Sequence, residues 1–313
     1  MFAARGLMLS IAVFTLVYAS ASVLVALLWK FAAKYWRALS AASQADRFLT
    51  LRMLPVLAAS VVTVIFTVPS FVMFEPRGGD EGIGIIPVLL AACGLALLAV
   101  GVWRAAAAVA RTSEAMAACT REAREDGSGE VPVVRIAGVK PAVMAAGIAH
   151  PRVLLSETAE FLLTPRELQT ALRHELGHIR RHDNVKKLAL CAVAFPGMAQ
   201  LEAAWSETSE MAADDAAVAS EVEALDLAAA LIKLSQLSTL EPAALMTGLL
   251  HGPAKCLNAR VARLLAWRER PQTQLRRQWW QGVLASFAVL ACFAVVYSHL
   301  LLHIHTATEW LVR

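Results

Sequence analysis

Charged side chains are scarce in this chain, since Lys, Arg, Asp and Glu make up only 17% of its 313 residues. The formal net charge is only +4, and the basic residues lie mostly beside apolar segments, which argues against a nucleic-acid-binding surface. Cysteine is also rare, and the five cysteines form no C-x-x-C pair. We therefore expect neither disulfides nor a cysteine-ligated metal site.

Apolar residues, by contrast, make up 58% of the chain, and the mean hydropathy is +0.56. This is too apolar for a pair of soluble domains. A transmembrane helix needs about 20 consecutive apolar residues. The chain has four such segments, at residues 6–29, 54–74, 82–103 and 279–302. The sequence therefore predicts four transmembrane helices.

The orientation of these helices follows from the basic residues at their ends, because Lys and Arg accumulate on the cytoplasmic side. Between the first two segments Asp46 is outnumbered by Lys30, Lys34, Arg37, Arg47 and Arg52. Arg104 and Arg111 similarly follow the third segment. We expect a multi-pass protein of a bacterial-type inner membrane, with residues 104–278 in the cytoplasm and both chain ends outside.

A helix with a strong start signal lies within the cytoplasmic segment. Thr164 is a favourable N-cap, Pro165 suits the first helical position, and Glu167 completes a capping box. The helix is therefore predicted to begin at Pro165. It is expected to run past residue 183 as far as 195, where a Pro-Gly pair ends it.

This helix carries an H-E-x-x-H motif, formed by His174, Glu175 and His178. The histidines are four residues apart and share a helix face, where two neutral imidazoles can bind one zinc ion. Glu175 lies one position further round, where a general base can take a proton from water on the metal. A chance motif on an exposed helix is the alternative. The capping box and an acidic helix downstream make it the weaker interpretation.

A catalytic zinc site needs a third protein ligand and one open position. The next predicted helix, residues 198–220, carries five acidic residues: Glu202, Glu207, Glu210, Asp214 and Asp215. Glu210 and Asp214 are four residues apart, so Glu210 can bind the metal while Asp214 orients a histidine. Glu207 shares their face and is the alternative ligand. A solvated acidic face is the interpretation without a function.

A small sheet is predicted before the metal-binding helix, with strands near residues 133–136, 142–146 and 152–155. An edge strand of this sheet could hold an extended peptide, or the sheet could merely cover the helix. His150 and His182 are candidates for the group that stabilises a developing oxyanion. Further on, residues 255–267 are predicted to form a surface helix with Lys255, Arg260 and Arg263 on its polar side.

Together these motifs resemble those of the BlaR/MecR-type membrane metallopeptidases. The stretch HELGHIRRHD at 174–183 matches their H-E-L-x-H-x-x-R-x-D signature, and EMAADD at 210–215 matches E-x-x-x-D. A later R-[IV]-x-x-L-L element is also present at 260–265. The resemblance implies zinc as the cofactor and Glu175 as the catalytic base. It implies three zinc ligands and three supporting residues: His174, His178 and Glu210, with Asp214, Arg181 and Asp183 around them.

The resemblance also implies an architecture. We expect a mainly α membrane protein in which a cytoplasmic zincin-type α+β metallopeptidase domain is inserted between the third and fourth of four transmembrane helices. The predicted divisions are 1–111 for three membrane helices, 112–278 for the peptidase domain, and 279–313 for the last helix and a short tail. Only residues 303–313 follow the last helix, so no extracellular β-lactam-binding domain is expected.

The expected function is that of a membrane-embedded zinc endopeptidase acting on a cytoplasmic or membrane-proximal protein, with a transcriptional repressor as one candidate substrate. The alternatives are an HtpX-like protease for membrane-protein quality control and a signalling or scaffold protein that keeps the zinc fold without catalysis. The expected partners are a protein substrate and the lipid bilayer, with no direct contact to nucleic acid. Ala213 stands where the family often has cysteine, which affects packing more than chemistry.

Overall fold

The computed structural model describes residues 2–75, 84–120, 124–126, 132–136, 143–237, 246–248, 254–267, 303 and 306. These residues form two compact units. One contains the described residues of Met1–Leu27 and Met53–Ala99, and the other contains those of Leu28–Arg52 and Val100–Glu269. The division into two units does not test the predicted domain boundaries, which stay predictions.

Among the described residues, three helical stretches are long and apolar enough to cross a membrane: Phe2–Trp36, Ala41–Phe74 and Ile85–Ala118. In detail, the elements are α1 (Phe2–Trp36), α2 (Ala41–Val61), a π-helical segment (Val62–Thr67), α3 (Val68–Phe74) and α4 (Ile85–Thr120). These stretches overlap the first three predicted membrane helices and extend beyond them. The fourth, predicted at 279–302, lies outside the described residues.

In the first unit, glycines allow close approach between these helices. A Cβ atom on Gly6 would lie 2.6 Å from the ring of Phe71, and one on Gly94 would lie 2.1 Å from Thr15 Oγ1. Small residues at such contacts are typical of helices that pack in a bilayer. The glycines therefore bring α1 against α3 and α4.

The ends of α1 and α2 belong to the second unit, where they form a helical hairpin over Leu28–Arg52. Trp29 and Trp36 both contact Phe48 edge to face, with ring centroids 6.2 and 5.4 Å apart respectively. This arrangement is a favourable one for aromatic pairs. These aromatic contacts hold the end of α1 against the start of α2.

The described residues of the second unit include a five-stranded sheet, made of β1 (Arg124–Asp126), β2 (Val133–Ile136), β3 (Val143–Ala146), β4 (Arg152–Ser156) and β5 (Met246–Gly248). The strand order is β1-β2-β4-β3-β5, with β2 and β4 parallel and the other pairs antiparallel. The three predicted strands are thus confirmed. Ala145 of β3 faces Val153 on one side and Thr247 on the other, so β3 is an interior strand.

The rest of the second unit is helical, with α5 (Glu157–Leu162), α6 (Pro165–Arg180), α7 (Asp183–Ala192), α8 (Ala199–Ala217), α9 (Glu221–Leu237) and α10 (Ala254–Leu265). Helix α6 lies at the centre and packs against α7, α8, α9 and β3. The apolar core around α6 includes residues of β4, α6, α9 and α10: Val153, Leu155, Ala171, Leu227, Leu231 and Leu264.

The start of α6 follows the predicted capping box. Thr164 Oγ1 accepts a hydrogen bond from the Glu167 amide at 3.4 Å, and Glu167 Oε2 accepts one from the Thr164 amide at 2.8 Å. Glu167 also pairs with Lys233 Nζ of α9 at 2.7 Å. Burial raises the pKa of Glu167, but these hydrogen bonds outweigh it and leave the pKa lowered. The first turn of α6 is therefore fixed both locally and to α9.

The predicted continuous helix from 165 to 195 is wrong, because the chain breaks after Arg180. His182 adopts a left-handed backbone conformation with φ of 55°, and α7 begins at Asp183. On a straight helix, Asp183 would lie about 140° around the axis from His178. The break instead returns Asp183 to His178, whose Nδ1 lies 2.8 Å from its carboxylate.

Candidate metal centre

The structure brings together three of the predicted residues. His174 and His178 come from α6 and Glu210 comes from α8, with their candidate ligand atoms all within 4.8 Å of one another. Glu210 Oε2 lies 3.5 Å from His174 Nε2, and its Oε1 lies 3.6 Å from His178 Nε2. The three residues are at most 2% exposed. Glu207, the alternative ligand, is exposed and is not part of this group.

Helices α6 and α8 approach closely where both carry small residues. A Cβ atom on Gly177 would lie 3.4 Å from Ala213 Cα, and Ala213 itself is fully buried. This contact sits one residue from His178 on α6 and three residues from Glu210 on α8. Close packing at Gly177 and Ala213 therefore brings the carboxylate of Glu210 within reach of both imidazoles.

Each histidine has a carboxylate on its other ring nitrogen. His178 Nδ1 lies 2.8 Å from Asp183 Oδ2. His174 Nδ1 lies 3.0 Å from Asp214 Oδ1, with a less favourable alignment for a hydrogen bond. Carboxylates in these positions attract the Nδ1 protons, which leaves the Nε2 lone pairs available to a metal.

The spacing of these Nε2 atoms tests whether a zinc ion fits. The two nitrogens are 3.2 Å apart. Two nitrogens bound to one tetrahedral zinc at 2.0–2.1 Å lie about 3.3 Å from each other. With their Nδ1 protons held by carboxylates, both Nε2 atoms present lone pairs to the same point, which a shared metal ion would satisfy. Together with the nearby Glu210 carboxylate, the donor set fits zinc.

Asp183 is itself held by several groups. Ser209 of α8 donates a hydrogen bond to its Oδ2 at 2.7 Å. The side chains of Arg181 and Lys186 lie 3.7 and 3.6 Å from its Oδ1. Burial raises the pKa of Asp183, but the hydrogen bonds from His178 and Ser209 outweigh it, so the pKa is lowered. Arg181 therefore acts on Asp183 rather than on a candidate ligand.

The charges around the three candidate ligands favour a cation. Burial lowers the pKa of His178, but Glu210 and Asp183 more than compensate and raise it to about 10. Burial raises the pKa of Glu210, but His178 and Arg260 hold it well below its ordinary value. Carboxylates that favour a proton at this position also favour a divalent metal ion.

Glu175 points toward β3 rather than toward solvent. It is fully buried, and its Oε2 accepts a hydrogen bond from the Ala145 amide at 2.8 Å. Burial raises the pKa of Glu175 to about 7, a value suited to proton transfer near neutral pH. Asn184 of α7 donates to the Gly147 carbonyl at 3.1 Å, which holds the end of β3 beside the site.

Arg260 is a site residue that the sequence analysis missed. It was expected on a surface helix, yet it is 1% exposed and lies between Glu210 and Asp214. The available signal was its position on the apolar face of α10, whose members pack into the core: Leu257, Val261 and Leu264. A charged residue on the apolar face of a helix is expected to have a charged partner in the core.

The two histidines considered for oxyanion stabilisation are on the surface. His150 lies in the turn between β3 and β4, and His182 lies at the break between α6 and α7. Both are exposed, whereas the candidate ligands are buried. The structure therefore does not bring either residue into the site.

The family model described as BlaR1 peptidase M56 matches residues 83–264, which is more than half of the chain. The chain belongs to the M56 family. The resemblance found in the motifs at 174–183 and 210–215 is thus confirmed. The M56 match runs from the start of α4 almost to the end of α10, so it includes the three candidate ligands, Glu175 and Arg260. No curated protein matches the chain.

Proposed function

We propose that this M56 member is a membrane-embedded zinc endopeptidase that cleaves a cytoplasmic or membrane-proximal protein. The observation that carries the proposal is the buried cluster of His174, His178 and Glu210, in a peptidase-family chain whose described residues include three membrane-capable helices. We assign these three residues as zinc ligands and Glu175 as the general base. Asp183 and Asp214 hold the two histidines in the tautomer that binds metal.

Zinc bound at this site would make a water molecule more acidic and polarise the carbonyl of the scissile peptide bond. Glu175 then accepts a proton from the attacking water and passes it to the leaving amine. The Ala145 amide holds Oε2 of Glu175. Its Oε1 is buried and makes no hydrogen bond to the described residues, so Oε1 is the oxygen we assign to proton transfer.

We also propose that the second unit, which carries the candidate metal centre, lies in the cytoplasm. The basic hairpin between the first two candidate membrane helices contacts the rest of the second unit through ionic links, which include Arg181 Nη2 at 3.7 Å from Asp46 Oδ1. Arg52 Nε lies 2.9 Å from Glu202 Oε1, and Lys186 Nζ lies 3.4 Å from Asp46 Oδ1. These links support a placement of the hairpin and the rest of the second unit on the same side of the membrane. The excess of Lys and Arg in the hairpin supports the cytoplasmic side.

The test compares the full-length wild type with Glu175→Gln in detergent or in membranes. The variant keeps all three proposed ligands, so it should bind zinc normally, while cleavage should fall about 10²–10⁴-fold because the general base is lost. Glu207→Gln is the matched control, since Glu207 is exposed on α8. Unchanged cleavage by Glu175→Gln would sink the proposal.

The same variant can identify the substrate class. Proteins trapped on zinc-bound Glu175→Gln in cells should be enriched in the natural substrate. A single transcriptional regulator among them would indicate regulated proteolysis, whereas a range of damaged membrane proteins would indicate quality control. Full biological function of Glu175→Gln in cells would instead identify a non-catalytic signalling protein.

A further inference from the structure

Arg260 joins two residues of the candidate metal centre through a single guanidinium group. Its Nη2 and Nε lie 2.6 and 2.9 Å from the two carboxylate oxygens of Asp214. Its Nη1 lies 3.0 Å from Glu210 Oε2. Asp214 in turn contacts His174 at 3.0 Å. One side chain of α10 therefore touches both the proposed carboxylate ligand and the residue that holds a proposed histidine ligand.

The geometry of this contact uses the properties of arginine. The planar guanidinium can grip one carboxylate with two parallel hydrogen bonds while a third nitrogen reaches another group. The terminal torsion of a glutamate is broad, so the orientation of its carboxylate is set by its neighbours. With Oε2 near Arg260, Oε1 of Glu210 is the oxygen nearer to His178, at 3.6 Å.

We infer that Arg260 is a positioning residue, which fixes the carboxylate of Glu210 and, through Asp214, the ring of His174 in the arrangement that binds zinc. The inference rests on the proposed zinc site. Arg260 is not assigned to contact the metal or the substrate. Its effect on zinc affinity is exerted entirely through the two carboxylates.

Arg260 could also act against zinc binding, so the direction in which its removal changes the zinc affinity tests the inference. Arg260 carries a positive charge close to the proposed site of a divalent cation, and like charges repel. If repulsion outweighed positioning, removing Arg260 would tighten zinc binding. If positioning is the larger effect, removing Arg260 weakens zinc binding.

Arg263 provides a matched control on the same helix. Its Nη2 lies 2.6 Å from both carboxylate oxygens of Asp215, so it also links α10 to α8. Asp215 is exposed and is not among the proposed ligands or their supports. Loss of Arg263 therefore weakens the docking of α10 without touching Glu210 or Asp214.

The experiment measures zinc affinity in the full-length protein by competition with a chelator, together with the rise in melting temperature that added zinc produces. The variants are Arg260→Lys, Arg260→Gln, Arg263→Lys and Arg263→Gln. We expect both Arg260 variants to weaken zinc binding about 10–100-fold, because neither side chain can donate the two parallel hydrogen bonds that arginine makes to Asp214. Lysine keeps the positive charge, so a loss in Arg260→Lys reports on the geometry of the guanidinium alone. The Arg263 variants should stay close to the wild type, as expected for a surface ion pair.

Three results would overturn the inference. Tighter or unchanged zinc binding in Arg260→Lys shows that the guanidinium group of Arg260 does not position the ligands. Equal losses in the Arg260 and Arg263 variants show that only helix docking matters. Absence of zinc binding in the wild type overturns the proposed function as well, so the two failures are distinguishable. If Arg260→Gln does not fold, Arg260→Lys decides alone, because it retains the buried charge.

Discussion

Removal of the third proposed ligand gives the sharpest test of the metal centre. Glu210 places its carboxylate oxygens 3.5 and 3.6 Å from the two Nε2 atoms. Glu207 is three residues earlier on α8, which displaces it by about 4.5 Å along the helix axis. It is also exposed. Glu210→Gln should therefore lose zinc, and Glu207 should not replace the missing ligand.

The size of the loss can be worked from typical zinc-binding energies. Structural zinc sites with four protein ligands bind with roughly 10–16 kcal/mol, or about 3–4 kcal/mol per ligand. Since 1.4 kcal/mol corresponds to a factor of ten, Glu210→Gln should weaken zinc binding by about 10²–10³-fold. Asp214→Asn removes only a support for His174 and should cost about 10–100-fold.

The assay is zinc affinity by chelator competition on the full-length protein, with Glu207→Gln measured alongside. Glutamine preserves the size of the side chain, so a large loss in Glu210→Gln alone reports on the ligand oxygen. Full zinc affinity in Glu210→Gln, combined with loss in Glu207→Gln, would show that the wrong carboxylate has been assigned. Equal losses in both variants would point to damage of α8 instead.

Three further predictions concern stability, each measured by thermal unfolding of the full-length protein. Gly177→Ala should raise stability by about 0.5–1 kcal/mol, because the new Cβ meets Ala213 at ordinary contact distances and the helix loses a flexible residue; a lower melting temperature would contradict the described packing. Gly101→Ala should cost about 1–3 kcal/mol, because its Cβ would lie 2.0 Å from the Ala192 carbonyl oxygen, and wild-type stability would show that α4 and α7 are not in contact. Glu167→Gln should lower stability by about 1 kcal/mol at pH 7. Because the pKa of Glu167 is lowered by folding, the wild type should lose this advantage as the pH falls below about 4.3, whereas a constant difference between the two proteins at all pH values would refute the reasoning.

Local sequence signals predicted the parts of the structure that depend on neighbouring residues. The capping box fixed the start of α6 at Pro165, as expected. The spacing of His174 and His178 predicted that they share a helix face. Long uncharged segments predicted the three membrane-capable helices among the described residues. Each of these features is decided within about a helical turn or by composition.

The features that were missed depend on contacts far apart in the chain. No glycine or proline marks the break at His182, which is associated with the contacts of Asp183 to His178 and Ser209. Arg260 was predicted to lie on the surface, because its partner Asp214 is 46 residues away and local sequence does not indicate the contact. Charge patterning alone cannot distinguish a solvated arginine from one that is buried with two carboxylates.

The hairpin of Leu28–Arg52 has a consequence for how the protein can be made. Arg52 is 1% exposed and bonds to Glu202 and to the Val193 carbonyl, so the unit that carries the metal centre includes part of the N-terminal helices. A fragment that begins after α4, the third membrane-capable helix, would expose these polar groups and the surface that the hairpin covers. During biosynthesis, the hairpin must likewise wait for α7 and α8 to emerge from the ribosome. The hairpin of Leu28–Arg52 and the unit that carries the candidate metal centre are therefore expected to fold together, and a fragment without the hairpin is expected to be less stable.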